Sequence, residues 1–472
     1  MAATILPKLK TRLHWLFGTT GGLLIVAAAW DTLIIVFLSL LSGPVRSWDL
    51  ADKMGVHLGN VGRQGRIVVL YHVLALPFVA AIACFILDQV PVKASQRRAI
   101  LPALTAGYML ASSAGLAFGY WGHNWIAHGL FLVGLSVVFY AGVLLAVALF
   151  PTRTQADAQT NYAQFKGIPL ERLAFFLTVV FTLISAAFGG GAGAFFGQGF
   201  LAFLAEDLVR LEHHVYELAI IAHLHLMLTL VDVGLLLLVI RYFDVRGRTH
   251  KWVLPMTLIG TTVVTLACWS IVFWEHAHRL INIGSAFLLP GAVVVALYGL
   301  CSIVRERVAE LRIEHPSLGT RIAALLHDPV RFGIFFELIF VNFVVTGPGV
   351  YVAVNLDAFR QGPFELERRI LVGHWHVLAT LSAILMVLLI ADRTGLRGRL
   401  RQVVGWGLVL GSSAAFISVQ FYMFRQLGQD VAWAELGFEI GIGVTMLALM
   451  IFLIVRATGR DGYRRNHDLP KT

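Results

Sequence analysis

Four groups of histidines interrupt a chain of 472 residues that is otherwise rich in hydrocarbon side chains. Imidazole is a frequent ligand of haem iron and of copper. Inside a membrane it is costly unless it is paired, ligated or faces a cavity. The residues that could do this chemistry are Tyr71-His72, His223 with His225, His276 with His278, and His374-Trp375-His376.

The spacing of His374 and His376 turns their side chains about 200° apart on a helix. One helix can then serve two cofactors, one on each side. Neutral imidazoles that hydrogen-bond between helices are the alternative explanation for these two residues and for His72.

His223 and His225 diverge by the same angle, so at most one of them faces a given metal. We favour His225, with His223 packing behind it, because a single stripe of the helix carries His214, His225, Thr229 and Asp232. His276 and His278 follow Trp274, where an ordinary polar belt at the membrane surface is the alternative to metal ligation.

The elements that must position these residues are predicted to be membrane-spanning helices. The composition is 58% apolar and 14% charged, and apolar runs of about 20 residues, long enough to cross a bilayer, recur along the chain. We predict an all-α, polytopic bundle of twelve transmembrane helices, which forms a single transmembrane domain over residues 1–472. The predicted spans lie near residues 17–42, 66–90, 100–122, 126–150, 170–197, 213–241, 252–276, 279–303, 331–354, 370–391, 403–426 and 433–456.

The net charge of +10 reflects helix orientation rather than a nucleic-acid partner, because the basic residues sit in short clusters between apolar runs. Assigning the loops alternately to two faces places 27 of the 37 Lys and Arg on one face and 10 on the other. Cytoplasmic loops carry the excess of positive charge, so both termini are predicted to be cytoplasmic. The cysteines Cys84, Cys268 and Cys301 fall in apolar runs and predict neither a disulfide framework nor a thiolate metal site.

Histidine is concentrated on the face opposite to the one that carries most Lys and Arg. This confines the predicted chemistry to one layer and argues against a metal transporter, which would need ligands through the full thickness of the membrane. The histidines that map to the outer half of the membrane or to the outer loops are His57, His72, His123, His128, His213, His214, His223, His225, His276, His278, His374 and His376.

Three acidic residues, Asp31, Asp232 and Glu337, lie within apolar runs and are candidates for proton or water paths, although hydrogen bonding between helices accounts for each equally well. Asp232 follows His225 by seven residues, about 20° around the helix and on the order of 10 Å deeper, so it could relay protons from the inner side. The GGGAG segment at 189–193 predicts a close approach between helices.

The span layout and the His-x-His on the tenth span resemble the catalytic subunit of the haem-copper oxidase superfamily, which includes the nitric oxide reductases. The resemblance implies twelve helices in the inner cell membrane of a prokaryote, two b-type haems, one low-spin and one high-spin, and a second metal that is copper or non-haem iron. It implies that His72 and His376 hold the low-spin haem and that His374 is the proximal ligand of the active haem. The residues it implies for the second metal are His225, His276 and His278, with His223 beside them.

The chain also departs from that family. Ala277 separates His276 from His278, whereas the family usually has adjacent histidines there. Thr229 stands where most oxidases of the family carry a tyrosine and nitric oxide reductases carry a glutamate. In those oxidases the tyrosine supplies an extra electron and proton for dioxygen reduction, which nitric oxide reduction does not need. The resemblance therefore favours nitric oxide over dioxygen as the gaseous substrate, with Glu275 as an acidic neighbour of the second metal.

Two functions remain open from the sequence. The first is a terminal oxidoreductase that reduces nitric oxide or dioxygen at a haem and second-metal site near the outer face. The second is a multi-haem b-type cytochrome that passes electrons between quinol and a partner without gas reduction. The chain lacks a cysteine-rich copper motif and a Cys-x-x-Cys-His for covalent haem. Electrons are therefore expected from a partner subunit, a soluble cytochrome or quinol.

Overall fold

Helices dominate the described part of the chain in a computed structural model. The structure describes residues 2–42, 48–59, 63–122, 124–152, 162–196, 214–342, 344, 347–355, 364–425 and 430–459. The helices of the first half are α1 (Ala2–Gly18), α2 (Thr20–Ser42), α3 (Leu50–Lys53), α4 (Arg63–Gln89), α5 (Ala94–Leu116), α6 (Trp125–Leu149), α7 (Leu170–Phe196) and α8 (His214–Tyr242). Those of the second half are α9 (Gly247–Ile271), α10 (His278–Glu310), α11 (Leu318–Leu326), α12 (Pro329–Val341), α13 (Gly347–Val354), α14 (Phe364–Arg393), α15 (Gly398–Met423) and α16 (Ala432–Thr458). A short antiparallel hairpin pairs β1 (Gln164–Phe165) with β2 (Ile168–Pro169).

Within these residues, 11 helices are long and apolar enough to cross a membrane. They are α2, α4 to α10 and α14 to α16, and they coincide with eleven of the predicted spans. The prediction of an all-α, polytopic membrane protein is confirmed.

The ninth predicted span is divided into two shorter helices. Helix α12 has 13 residues and α13 has 8, so neither alone reaches the roughly 20 residues that a crossing needs. Helix α13 begins with Gly347-Pro348-Gly349. Between the two helices the structure describes Asn342 and Val344, both in π-helical conformation. Pro348 has no backbone N–H, so it cannot donate the α-helical hydrogen bond to the residue four positions before it.

Three of the helices that carry candidate site histidines, α4, α8 and α14, are the most enclosed ones. In the most apolar stretch of each helix, the share of residues that is buried is 56% in α4 and in α8 and 61% in α14. The same share is only 28% in α6 and 22% in α7. Helix α8 packs against α4, α7, α9 and α14, and α14 also contacts α2, α12 and α15. These three helices therefore form the centre of the bundle, where side chains can approach one another away from lipid.

Ion pairs fasten the opposite ends of the same helices, on the predicted cytoplasmic side. Arg393 of α14 donates to both carboxylate oxygens of Asp88 in α4, at 2.7 and 3.0 Å. Arg401 of α15 donates to Asp328, at the start of α12, at 2.8 and 2.7 Å and to Asp392 of α14 at 2.5 Å. The charges at this end connect four elements, α4, α12, α14 and α15.

Candidate functional site

A cavity of about 300 Å³ lies between α8, α10, α12, α13 and α14. Its size is at the lower end of the ~300–1,000 Å³ typical of ligand and cofactor pockets. Most of its wall is apolar, with a few polar side chains among the aliphatic ones. The polar residues that line it are His225, Thr229, Asp232, His278, Asn282, Ser285, Glu337, Asn342, His374 and Ser382.

Three of the predicted ligands, His225, His278 and His374, therefore line one cavity although they come from three different helices. The stripe predicted on α8 is observed for His225, Thr229 and Asp232. The side chain of His214 lies outside the described residues, as does that of Glu275. Sequence spacing located the α8 stripe correctly because it depends only on helical geometry.

The ring of His374 packs against a glycine of α13. A Cβ atom on Gly349 would lie 2.7 Å from Cε1 of His374 and 3.2 Å from its Nε2. The backbone of α13 thus comes as close to the imidazole as a residue without a side chain allows. Gly349 was not predicted as a site residue, although the Gly-Pro-Gly sequence around it was a readable signal of a close approach.

Two carboxyl groups face the same cavity. Asp232 accepts a hydrogen bond from the hydroxyl of Ser382 on α14. Glu337 is buried, and its Oε1 accepts a hydrogen bond from Ser412 of α15 at 2.8 Å. Its Oε2 has no hydrogen-bond partner among the described residues. A buried carboxyl group with an unused oxygen on a cavity wall is suited to exchanging protons with the contents of the cavity.

The other histidine of α14 points elsewhere, as its spacing predicts. His376 is exposed, and its Nε2 lies 3.0 Å from the hydroxyl of Tyr71 on α4. Their rings are tilted by 55°, with centroids 5.6 Å apart. His374 and His376 therefore have separate surroundings, the first at the cavity and the second against α4.

His72 on α4 lies beside His223 on α8. Their ring centroids are 6.3 Å apart and the ring planes differ by 15°. Nδ1 of His72 lies 2.8 Å from the carbonyl oxygen of Val68, and Nδ1 of His223 lies 3.0 Å from that of Ser185 on α7. Pairing of His72 with His223 was not predicted, because which helices pack together cannot be read from periodicity.

The segment containing His276 and His278 differs from its predicted place at the end of the seventh span. Helix α9 ends at Ile271, Glu275–Ala277 form a single 3₁₀ turn, and His278 is the first residue of α10. Phe273 in the connection is 88% exposed, so the apolar run ends in a surface loop rather than in the helix. His276 is exposed and is not among the cavity-lining residues, whereas His278 is.

The remaining outer histidines divide into two groups. His128 stacks on Phe118 at a centroid distance of 4.8 Å, which is the packing role expected at the membrane surface. His123 and His213 lie outside the described residues. Among the residues described, no group of three or more His, Cys, Asp or Glu is placed to hold a metal ion.

The fold and the cavity define an all-α polytopic membrane protein with imidazole and carboxyl groups around an internal space. No family model, curated protein or solved structure matches the chain.

Proposed function

We propose that the protein is a membrane-bound haem oxidoreductase that reduces a small gas, nitric oxide in preference to dioxygen, near the outer face. The observation that carries the proposal is that one cavity is lined by His225, His278 and His374. Imidazoles from three helices, α8, α10 and α14, would be costly in a membrane without a ligand or cavity to face. A gas needs no aqueous channel to reach such a site, because it can enter through the apolar wall.

His374 is the residue suited to hold the haem at which the gas reacts. Gly349 packs against one edge of its ring, so α13 limits the positions that the imidazole can take. His374 would hold the haem, and the haem would supply electron transfer to the gas.

The second metal has weaker support than the haem. His225 and His278 line the cavity, but His276 is exposed, His223 pairs with His72, and the described residues form no three-ligand group. The expected copper or non-haem iron therefore enters no step of this proposal. The side chain of Glu275, the expected acidic neighbour of that metal, lies outside the described residues.

The protons of the reaction are assigned to the cavity carboxyls. Two molecules of nitric oxide, two electrons and two protons give nitrous oxide and water. Asp232 lies on the wall with Ser382 donating to it, and Glu337 presents an unused oxygen. Each can hold one proton and release it into the cavity, to be replaced from the inner side.

The choice of nitric oxide rests on the side chains that line the cavity. Among the described lining residues there is no tyrosine. The oxidases that the sequence resembles use a tyrosine as an extra electron and proton donor for dioxygen. The two-electron reduction of nitric oxide requires no such donor.

The second candidate is a multi-haem b-type cytochrome that carries electrons between quinol and a partner. It is favoured by the same lack of a three-ligand group among the described residues, because an electron carrier needs haems and no second metal. In both cases electrons come from a partner subunit, a soluble cytochrome or quinol.

The proposal includes a twelve-span topology in the inner membrane of a prokaryote, with α12 and α13 together making the ninth crossing and both termini cytoplasmic. The excess of Lys and Arg on one face supports this orientation. A reporter fused after residue 472 that is active only in the cytoplasm tests it.

A pyridine haemochrome assay, metal analysis and a carbon monoxide difference spectrum on the purified full chain test the function. Two b-type haems are expected, one of which binds carbon monoxide and is lost in His374→Ala while the low-spin haem remains. Haems that do not bind carbon monoxide would favour the electron carrier. A protein without haem would contradict both candidates.

A further inference from the structure

The pair formed by His72 and His223 has the dimensions of two ligands on one metal. Their ring centroids are 6.3 Å apart and the rings are nearly parallel, at 15°. Two imidazoles bound on opposite sides of one ion, each at the usual ~2 Å from nitrogen to metal, place their centroids roughly 6 Å apart. Two aromatic rings in direct contact can have a similar separation, so the hydrogen bonds of the two rings are needed as a second observation.

Backbone carbonyls set the tautomer of both rings. A carbonyl oxygen only accepts, so Nδ1 of His72 carries the proton that it donates to Val68 at 2.8 Å, and Nδ1 of His223 carries the proton that it donates to Ser185 at 3.0 Å. In a neutral imidazole the other nitrogen, Nε2, then has an unprotonated lone pair. Metal-bound histidines almost always donate their second ring N–H to such an acceptor. Both rings are therefore prepared to bind a metal through Nε2.

Packing fixes His223 from a third helix. A Cβ atom on Gly189 of α7 would lie 2.5 Å from Cε1 of His223, whereas a Cβ on the adjacent Gly190 would meet nothing within 4 Å. The first glycine of the GGGAG segment thus provides the predicted close approach of helices, and the imidazole of His223 is what it approaches.

His376, the ligand that the family resemblance pairs with His72, has different surroundings. Its Nε2 lies 3.0 Å from the hydroxyl of Tyr71, which can donate to it. An Nε2 that accepts this hydrogen bond cannot bind iron with the same lone pair. His376 would have to release Tyr71 before it could serve as an axial ligand.

A haem suits a two-histidine site better than a bare ion does. The described residues provide no third His, Cys, Asp or Glu to complete a group around these rings. A haem brings four nitrogen ligands of its own and requires only two axial ligands from the protein. Helices α4 and α8, which carry the pair, are in contact and among the most enclosed in the bundle.

We propose that His72 and His223 are the axial ligands of the low-spin haem, and that His376 positions Tyr71 instead of binding iron. This inference rests on the haem content in the proposed function. It departs from the ligand set that the family resemblance implies.

The test compares the visible and electron paramagnetic resonance spectra of the purified full chain with those of three variants. His72→Gly and His223→Gly should lose the low-spin bis-imidazole signal, and added imidazole should restore it by occupying the vacated space. His376→Ala should keep the signal. Loss of the signal in His376→Ala together with its retention in His223→Gly would overturn the proposal.

A matched pair of glycine variants tests the same assignment without removing a ligand. Gly189→Ala forces His223 to move and should shift the low-spin signal, whereas Gly190→Ala should leave it unchanged. Equal signals in both variants would contradict an axial role for His223. Two bound copper ions would also overturn the haem assignment. So would a copper signal that is lost in His223→Gly while the haem spectrum is unchanged.

The spectra separate this inference from the proposed function, because they are recorded on resting protein without any gas. A low-spin signal that depends on His223 but no gas turnover leaves the axial pair standing and removes the oxidoreductase. Gas turnover together with a low-spin signal that does not depend on His223 leaves the oxidoreductase standing and removes the axial pair.

Discussion

Asp232 and Glu337 place two carboxyl groups on the wall of a cavity inside the membrane. Asp232 is held by the hydroxyl of Ser382, and Glu337 by that of Ser412. Burial of two acids at one cavity is costly. The proposed proton exchange with the cavity would give both acids a role there.

Asp232→Asn keeps the shape of the side chain and its contact with Ser382 but removes the exchangeable proton. We expect steady-state turnover of nitric oxide to fall on the order of 10²-fold, the usual contribution of a proton-transferring group. Haem content should stay the same, since no proposed ligand is touched. Asp31→Asn serves as the control, because Asp31 is a membrane carboxyl outside the cavity lining. Equal turnover in wild type and Asp232→Asn would return Asp232 to a structural role.

At the scale of single residues, helical geometry alone located much of the candidate site. The stripe of His225, Thr229 and Asp232 and the opposite directions of His374 and His376 follow from 100° per residue. The neighbours of each side chain cannot be derived from this geometry. Tyr71 beside His376 and His223 beside His72 depend on how α4, α8 and α14 pack, and no pattern within one helix encodes that.

Among the elements, α13 shapes the site by bringing Gly349 against His374. A residue with a side chain at this position would hold the α13 backbone away from the ring. The glycine thus explains how one cavity wall approaches an imidazole closely.

Gly349→Ala should disturb His374, because the new Cβ would lie 2.7 Å from Cε1 of the ring. We expect a destabilisation of about 1–3 kcal/mol, as for other overpacked sites, and a weaker or shifted carbon monoxide difference spectrum. Gly347→Ala is the matched control, since its Cβ would meet nothing closer than 4.0 Å. Indistinguishable carbon monoxide spectra in the two variants would count against His374 as the proximal ligand.

The ion pairs at the other end of the bundle give a pH dependence of stability. Burial alone would raise the pKa of Asp328, but Arg401 and the N–H of Arg331 outweigh it and hold the pKa below its ordinary value of 3.8. A carboxylate with a lowered pKa in the folded state contributes stability above pH 3.8, and this contribution is lost as the pH falls through the lower, folded-state value.

Asp328→Asn retains a helix-capping side chain but removes the charge that pairs with Arg401. The variant should be less stable than wild type by about 2 kcal/mol at neutral pH. The difference should shrink as the pH falls below 3.8 and vanish once the pH is below the lowered folded-state pKa of Asp328. Thermal unfolding in detergent across this range measures it. A difference that stays constant with pH would show that the Asp328 charge does not stabilise the fold.

Element boundaries were predictable where hydropathy changes and not where it stays constant. Clusters of Lys and Arg mark the ends of several spans, such as α8 at Tyr242 and α14 at Arg393, and those ends were found within a few residues. The end of α9 at Ile271 and the start of α13 at Gly347 lie in apolar stretches, so neither was predicted.

For the whole molecule, candidate site histidines and ion pairs lie at opposite ends of the same central helices. Helices α4, α8 and α14 carry His72, His225 and His374, while Arg393 and Arg401 tie the same or adjacent helices together at the other end.

The central claim is that this chain reduces nitric oxide at His374. The most direct measurement is an amperometric assay on the purified full chain with an artificial reductant, supplying nitric oxide and dioxygen in separate runs. We predict that nitric oxide is consumed faster than dioxygen, that nitrous oxide is formed, and that His374→Ala abolishes the activity while leaving the low-spin haem in place. Faster consumption of dioxygen, or nitric oxide consumption that persists in His374→Ala, would contradict the account.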